Sequence, residues 1–156
     1  MTEYYTPTRV FFGKGAETKL GETLNRDGYK KALLHYGGKS AIESGVLERV
    51  EKNLLSNGID YIKVGGVVPN PRVTLVRKAI EEAKKHGSEI IIALGGGSVI
   101  DSAKAIAYGL FNTEGDIWDY YLGERKVKGA FPLAAILTLS ATGSEMSASS
   151  VISNDE

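Results

Sequence analysis

A run of apolar residues that passes straight into glycine constrains this chain more than any other feature. Ile90-Ile91-Ile92-Ala93-Leu94 has no polar member and is followed at once by Gly95-Gly96-Gly97-Ser98. A strand without a polar side must be covered on both faces, the condition of a parallel sheet lying between helices. The next segment supplies such a helix: from Ser98 to Phe111, Ile100, Ala103, Ala107 and Leu110 share one side. Strand, glycine turn and helix in direct succession form half of a βαβ unit, whose crossover is right-handed.

The same alternation runs along the rest of the chain. Arg9-Val10-Phe11-Phe12, ahead of Gly13-Lys14-Gly15, reads as a short strand. Ala16 to Asp27 reads as a helix stopped by Gly28, and Lys31 to Tyr36 as a strand broken by Gly37-Gly38. Val46, Leu47, Val50, Leu54 and Leu55 mark a helix closed by Asn57-Gly58. Ile59 to Val64 reads as a strand. Gly65 to Pro71 reads as a loop, since Pro69 and Pro71 bias their predecessors to extended geometry. Arg72 to His86 carries Val73, Val76, Ala79, Ile80 and Ala83 on one helical face, ending at Gly87. Asn112 to Gly129 is polar and aperiodic and reads as a surface excursion. Leu133 to Leu137 reads as a last buried strand, and Val151-Ile152-Ser153 as the start of a further element. The expected architecture is α/β: one Rossmann-like domain over residues 1–156, a parallel sheet with helices on both faces.

Composition narrows the functional classes. A domain of 156 residues can bury a core without disulfides, and with no cysteine it offers neither a disulfide framework nor a thiolate metal site. Nineteen basic and nineteen acidic residues balance, which argues against a nucleic-acid partner. No basic n-region opens the chain, and nothing approaches the roughly 18 consecutive apolar residues of a membrane span. A soluble, cytoplasmic protein is expected.

In a doubly wound sheet, ligands bind beyond the carboxyl ends of the strands, near the switch in strand order. Gly95, Gly96, Gly97 and Ser98 belong at that edge, where bare backbone lets a diphosphate reach amides at the positive end of a helix. Ser98 can cap that helix, with Asp101 completing a Ser-x-x-Asp pattern. The blander reading is a tight turn and a cap. The spacing is not G-x-G-x-x-G, so ordinary Rossmann roles do not transfer. Gly37, Gly38, Lys39 and Ser40 end an earlier strand. An acidic residue there would bind the ribose 2′-hydroxyl, whereas Lys39 and Ser40 offer donors, which favours NADP while leaving NAD possible. Read blandly, Lys39 is a solvated cation. After the last strand, Thr138, Ser140, Thr142 and Ser144 form a hydroxyl-rich stretch able to lie along a cofactor. The two histidines, His35 and His86, lack ligand spacing, so no metal site is expected within these residues and none of them is assigned a catalytic role.

The pieces Arg9-x-Phe11-Phe12-Gly13-x-Gly15, Tyr36-Gly37-Gly38-x-Ser40, Pro69-Asn70-Pro71, Gly95-Gly96-Gly97-Ser98-x-x-Asp101-x-x-Lys104, Gly115-Asp116-Ile117-Trp118-Asp119 and Thr138-x-x-Ala141-Thr142-Gly143-Ser144-Glu145 together resemble the iron-containing (group III) alcohol dehydrogenases, nearest the butanol dehydrogenase and NADPH-dependent aldehyde reductase branch. The resemblance implies that Gly96, Gly97 and Ser98 hold the diphosphate and that Asp101 lies near the nicotinamide. It also implies that Asn70, Thr138 and Thr142 touch the nucleotide, and that Gly38, Lys39 and Ser40 surround the adenosine ribose. Lys39 stands where that branch usually has glycine, and Ser147, a further polar contact, where it often has asparagine.

The same resemblance implies a second, all-helical domain, absent from these residues. There an aspartate and three histidines hold iron or zinc, which polarises the oxygen of a small alcohol or aldehyde. By this reading the chain binds nucleotide, is inactive alone, and forms a homodimer through the edge from Tyr4 to Phe12. Two other readings compete: a polyol or glycerol-phosphate dehydrogenase or dehydroquinate-synthase-like relative, and a non-catalytic nucleotide-binding module.

Overall fold

The structure is a computed structural model and describes residue 1 and residues 5–156. Four parallel strands form one sheet: β1 (Lys31–Gly37), β2 (Asp60–Val67), β3 (Ile90–Gly95) and β4 (Leu133–Leu137), in the order β2-β1-β3-β4. The expected α/β fold is therefore present. The chain moves one way from β1 to β2 and the other way from β3 to β4, so the order switches between the adjacent strands β1 and β3. Their carboxyl ends carry the two glycine turns.

Among the described residues six α-helices pack around the sheet: α1 (Leu20–Arg26), α2 (Lys39–Glu43), α3 (Val46–Ser56), α4 (Val73–His86), α5 (Gly97–Phe111) and α6 (Ile117–Tyr121), the last against α4 and α5. Alternating side chains of a strand point to opposite faces, and the core divides accordingly. Leu33, Ile91 and Ala93 pack with Val73, Val76, Ile80, Ile100 and Ile106 of α4 and α5. Leu34, Ile90, Ile92 and Leu94 pack with Leu24, Val50 and Leu54 of α1 and α3. Every residue of β3 is buried, as its unbroken apolar run requires.

Several expected details are corrected. Arg9–Phe12 forms no strand: among the described residues no neighbour offers it a ladder, and Phe12 is fully exposed at 102%. Tyr4 lies outside the described residues. β2 continues through Gly65 and Gly66 to Val67, because the lack of a Cβ at Gly65 admits the Tyr36 ring, whose Cε2 would lie 2.5 Å from one. The extra residue is a bulge in β2: two steps of β1, from His35 to Gly37, pair with three of β2, from Val64 to Val67. β4 is half-buried, since it lies at the sheet edge with a neighbour on one side only. The polar excursion contains α6, which carries the capping box expected elsewhere: Asp116 Oδ1 accepts from the Trp118 amide at 2.9 Å, and Asp119 Oδ2 from the Asp116 amide at 3.1 Å. Asp116 also takes two bonds from Arg77, at 2.9 and 2.8 Å, and this guanidinium holds its carboxyl below the usual range.

His35 is fully buried in β1, with Nδ1 2.7 Å from the Val64 carbonyl and Nε2 2.8 Å from the Ser102 hydroxyl. Nδ1 therefore donates, Nε2 accepts from the hydroxyl, and the ring is neutral. Burial pushes its pKa down from 6.5 to about 4. Below pH 6.5 the unfolded chain takes up a proton that the folded chain refuses, so stability present above that pH is lost as pH falls toward 4. At ~1.4 kcal/mol per pKa unit the loss amounts to roughly 3 kcal/mol. Urea unfolding across this range is expected to show that slope, with His35→Gln removing its share. An imidazole NMR signal titrating near 6.5 in the folded protein would refute the neutral assignment.

Candidate functional site

The carboxyl edge of the sheet gathers most of the polar residues singled out in the sequence. Gly37 ends β1 and Gly38, Lys39 and Ser40 follow it, Asn70 follows β2, Gly96, Gly97 and Ser98 follow Gly95 at the end of β3, and Thr138, Ser140 and Thr142 follow β4. Parallel strands make this convergence unavoidable, because all four carboxyl ends lie on one side. Ser147 sits farther along the tail, exposed, where its hydroxyl accepts from the Ser149 amide at 3.0 Å.

The helix-capping expectation at Ser98 is overturned. Gly96 is the N-cap of α5 and no side chain caps it; the helix starts two residues too early for Ser98 to serve. The Gly96 carbonyl accepts the amides of Val99 and Ile100, both at 3.1 Å. Among the described residues nothing accepts the amides of Gly97 and Ser98. Two donors thus remain at the positive end of a long helix, at the switch point.

The glycines around these donors are not equivalent. A Cβ at Gly95 would lie 2.5 Å from Val99 Cγ2, and one at Gly37 would lie 3.3 Å from the same methyl. Both glycines make room for Val99. A Cβ at Gly97 would come within 2.6 Å of Thr142 Cγ2, so Thr142 closes that side. Gly96 differs: its backbone is extended, at φ −92 and ψ −165, and a Cβ there would meet only Leu139 Cβ at 3.9 Å. Neither conformation nor packing requires glycine at 96, and the space above it is open.

Asn70 is the one non-glycine residue with positive φ, 56°, among the described residues. It precedes Pro71, where left-handed geometry is disfavoured, and such strain is maintained only by its surroundings. Lys39 is exposed at the start of α2, with no carboxylate within ion-pair distance among the described residues.

Residue reasoning assigned no role to Lys104. It is 7% exposed, and Nζ donates to the Ser144 carbonyl at 2.6 Å, the Ser144 hydroxyl at 2.9 Å and the Ser149 carbonyl at 2.8 Å. Burial lowers its pKa, opposed by the carboxylates of Asp101 and Glu145. The Ser144 hydroxyl donates in turn to Asp101 Oδ1 at 2.6 Å, and the Ser150 hydroxyl to the Asp101 carbonyl at 2.7 Å. Asp101 therefore faces the tail rather than the first turn of its own helix. The only sequence signal for Lys104 was its i+3 spacing from Asp101.

A divalent metal does not fit these residues. His35 is enclosed in the core, and His86 is engaged by Ser88 at 2.9 Å and Asp60 at 3.2 Å. Among the described residues no three His, Cys, Asp or Glu side chains converge, and no helix is long and apolar enough to cross a membrane.

Known proteins resemble this chain in sequence and in fold. NADH-dependent butanol dehydrogenase A of Clostridium acetobutylicum is 44% identical over 154 residues, which are 99% of this chain and 39% of that protein. The NADPH-dependent aldehyde reductase of Escherichia coli is 39% identical over 96% of this chain and 38% of its own length. The crystal structure of NADH-dependent butanol dehydrogenase A from Thermotoga maritima superposes with a TM-score of 0.94 at 43% identity, covering 99% of this chain and 38% of that one. The chain thus spans about two fifths of the length of these relatives. The family model for iron-containing alcohol dehydrogenase matches residues 7–156, from ahead of the first helix through the glycine turns to the last residue, and on that match the chain belongs to the iron-containing alcohol dehydrogenase family.

Proposed function

We propose that residues 1–156 form the dinucleotide-binding domain of an alcohol dehydrogenase or aldehyde reductase, with NADP held in preference to NAD. The observation that carries this reading is Gly96: a glycine that its own fold does not need, open to solvent, beside two amides without acceptors. A diphosphate is the ligand that uses both, since it needs close backbone approach and donors at the positive end of a helix. When bound, a dinucleotide supplies a nicotinamide ring that gives or takes hydride. The residues of this chain bind and orient it. Gly97 and Ser98 donate to the diphosphate. Thr138, Ser140 and Thr142 line one wall, Asn70 projects from the β2 turn, and Asp101 stands toward the nicotinamide end. Lys39 and Ser40 meet the adenosine ribose, where an unpaired lysine suits a 2′-phosphate.

Four relatives named as NADH-dependent are 42–44% identical and one named as NADPH-dependent is 39% identical, so the preference for NADP rests on the donors at Lys39 and Ser40. The substrate, a small alcohol or aldehyde, and the iron or zinc that would polarise its oxygen are assigned to the part of the relatives that this chain does not match. By itself the chain binds nucleotide without turnover, in the cytoplasm. The exposed apolar Val10, Phe11 and Phe12 pair with a second copy, because an unpartnered extended segment is completed by another chain's ladder.

Two substitutions test the nucleotide site. Gly96→Val is expected to raise the Kd for NADPH at least tenfold by fluorescence titration, while cooperative unfolding persists with a loss of about 1 kcal/mol, the size of an N-cap effect. Unaltered affinity in the folded variant rules out the open cradle. Wild-type protein is expected to bind NADPH more tightly than NADH, and Lys39→Asp to erase or reverse the difference by about tenfold or more, the scale of one charged hydrogen bond. Equal affinities before and after the change remove Lys39 from the account.

A further inference from the structure

Lys104 is a buried cation that the nucleotide-binding reading leaves without a task. Its three acceptors lie on one stretch of chain, the Ser144 carbonyl and hydroxyl and the Ser149 carbonyl. An amine that donates three bonds is an ammonium, and an ammonium can serve three acceptors converging on one nitrogen, which a planar guanidinium cannot. The stretch it holds has little else: Leu139, Met146 and Val151 are exposed, and its regular structure is one 3₁₀ turn, Ser144–Met146. The remaining ties also run to buried or half-buried groups on neighbouring helices. Tyr108 donates to the Ala148 carbonyl at 2.6 Å, and Tyr121 lies 2.6 Å from the Ser150 hydroxyl.

This grip reaches the glycine cradle in a few contacts. Lys104 fixes Ser144; the Ser144 amide donates to Thr142 Oγ1 at 3.2 Å; and Thr142 is packed against Gly97. Thr142 therefore owes its seat beside the free amides of Gly97 and Ser98 to an ammonium buried two turns down α5. The same cation faces Asp101 and Glu145, and Glu145 Oε2 is a buried oxygen with no hydrogen-bond partner.

We propose that Lys104 is a positioning residue for the nucleotide: its ammonium clasps residues 144–149 onto α5 and thereby holds Thr142 as the wall of the cradle. The proposal rests on the nucleotide-binding reading for its consequence, but the clasp itself can be read without a ligand. A charge effect on the diphosphate is the rival explanation, and arginine separates the two.

Lys104→Met and Lys104→Arg are compared with wild-type protein for NADPH and NADH affinity by fluorescence titration, and for amide exchange in residues 142–149 and in β3. Both variants are expected to lose about tenfold or more in affinity, the scale of a buried charged hydrogen bond, with faster exchange in 142–149 and unchanged exchange in β3. Wild-type affinity in Lys104→Arg with loss in Lys104→Met overturns positioning in favour of charge. Unchanged exchange in 142–149 in Lys104→Met overturns the clasp. Should Lys104→Met fail to fold, Ser144→Ala removes the hydroxyl that accepts from Lys104 and donates to Asp101 while leaving both carbonyl acceptors in place, and it must show the same pattern in smaller degree or the clasp is refuted. If wild-type protein binds neither nucleotide, the functional reading fails, while the exchange data still decide whether Lys104 holds the segment.

Discussion

The close seating of α5 against β1 and β3 is the constraint on which the rest of the molecule depends. Val99, one turn into the helix, presses its methyl into the space left by the missing side chains of Gly37 and Gly95. Nearly three turns farther on, Gly109 admits Ile80 of α4, whose Cγ1 would lie 3.2 Å from a Cβ at that position. Ile100, Ala103, Ala105, Ile106 and Ala107 are buried along the same helix. A helix enclosed on this many sides cannot be shifted without opening the core, and interiors resist such voids. Its first turn is therefore fixed at the switch between β1 and β3, and its unbonded amides are fixed with it. The position of the glycine turns follows from apolar packing, not from any polar group at that edge.

The wall opposite those amides is held by different forces. Residues 138–150 bury little apolar surface and are secured by hydrogen bonds to Lys104, Tyr108, Asp101 and, through Ser150, Tyr121. Local stability follows buried apolar contact, so this segment belongs to the part of the molecule that opens most readily. A rigid helix terminus faced by a loop tied through charged groups gives one fixed side and one adjustable side. Adjustable walls of this kind suit a ligand that must enter and leave, and such segments are drawn from the low-stability end for that reason.

How much of this could be read beforehand depended on whether the signal was local. The unbroken apolar run of β3 and the glycine turns after β1 and β3 placed the sheet, its covering layers and the edge that carries those turns, because burial on both faces and a strand–turn–helix succession are properties of adjacent residues. The segment Arg9–Phe12 has the composition of a strand yet forms none, since a strand needs a neighbour and composition does not supply one. β2 was cut short at Gly65 because a glycine reads as a stop, whereas here it admits the Tyr36 ring from the partner strand. The α6 helix, five residues long, is too short for periodicity, although Asp116 and Asp119 stood at capping-box spacing. Lys104 was illegible for the opposite reason. A lysine within a helical pattern reads as solvated, and the groups that bury it lie 40 and 45 residues away.

Three consecutive glycines look alike in sequence, but the structure assigns each a different cause. Gly95 exists for Val99, and Gly97 leaves room for Thr142; either could be explained in a protein that binds nothing. Gly96 has extended backbone geometry that any residue adopts, and empty space where a side chain would stand. Glycine at an N-cap gives up more chain entropy than serine or aspartate would and forgoes the side-chain bond they provide. Helix capping does not single glycine out either, since serine or aspartate serves that position at least as well. What remains is a backbone that the described fold does not crowd, beside two amides without acceptors. Packing alone thus separates Gly96 from glycines that only make room for their neighbours, independently of any likeness to known enzymes.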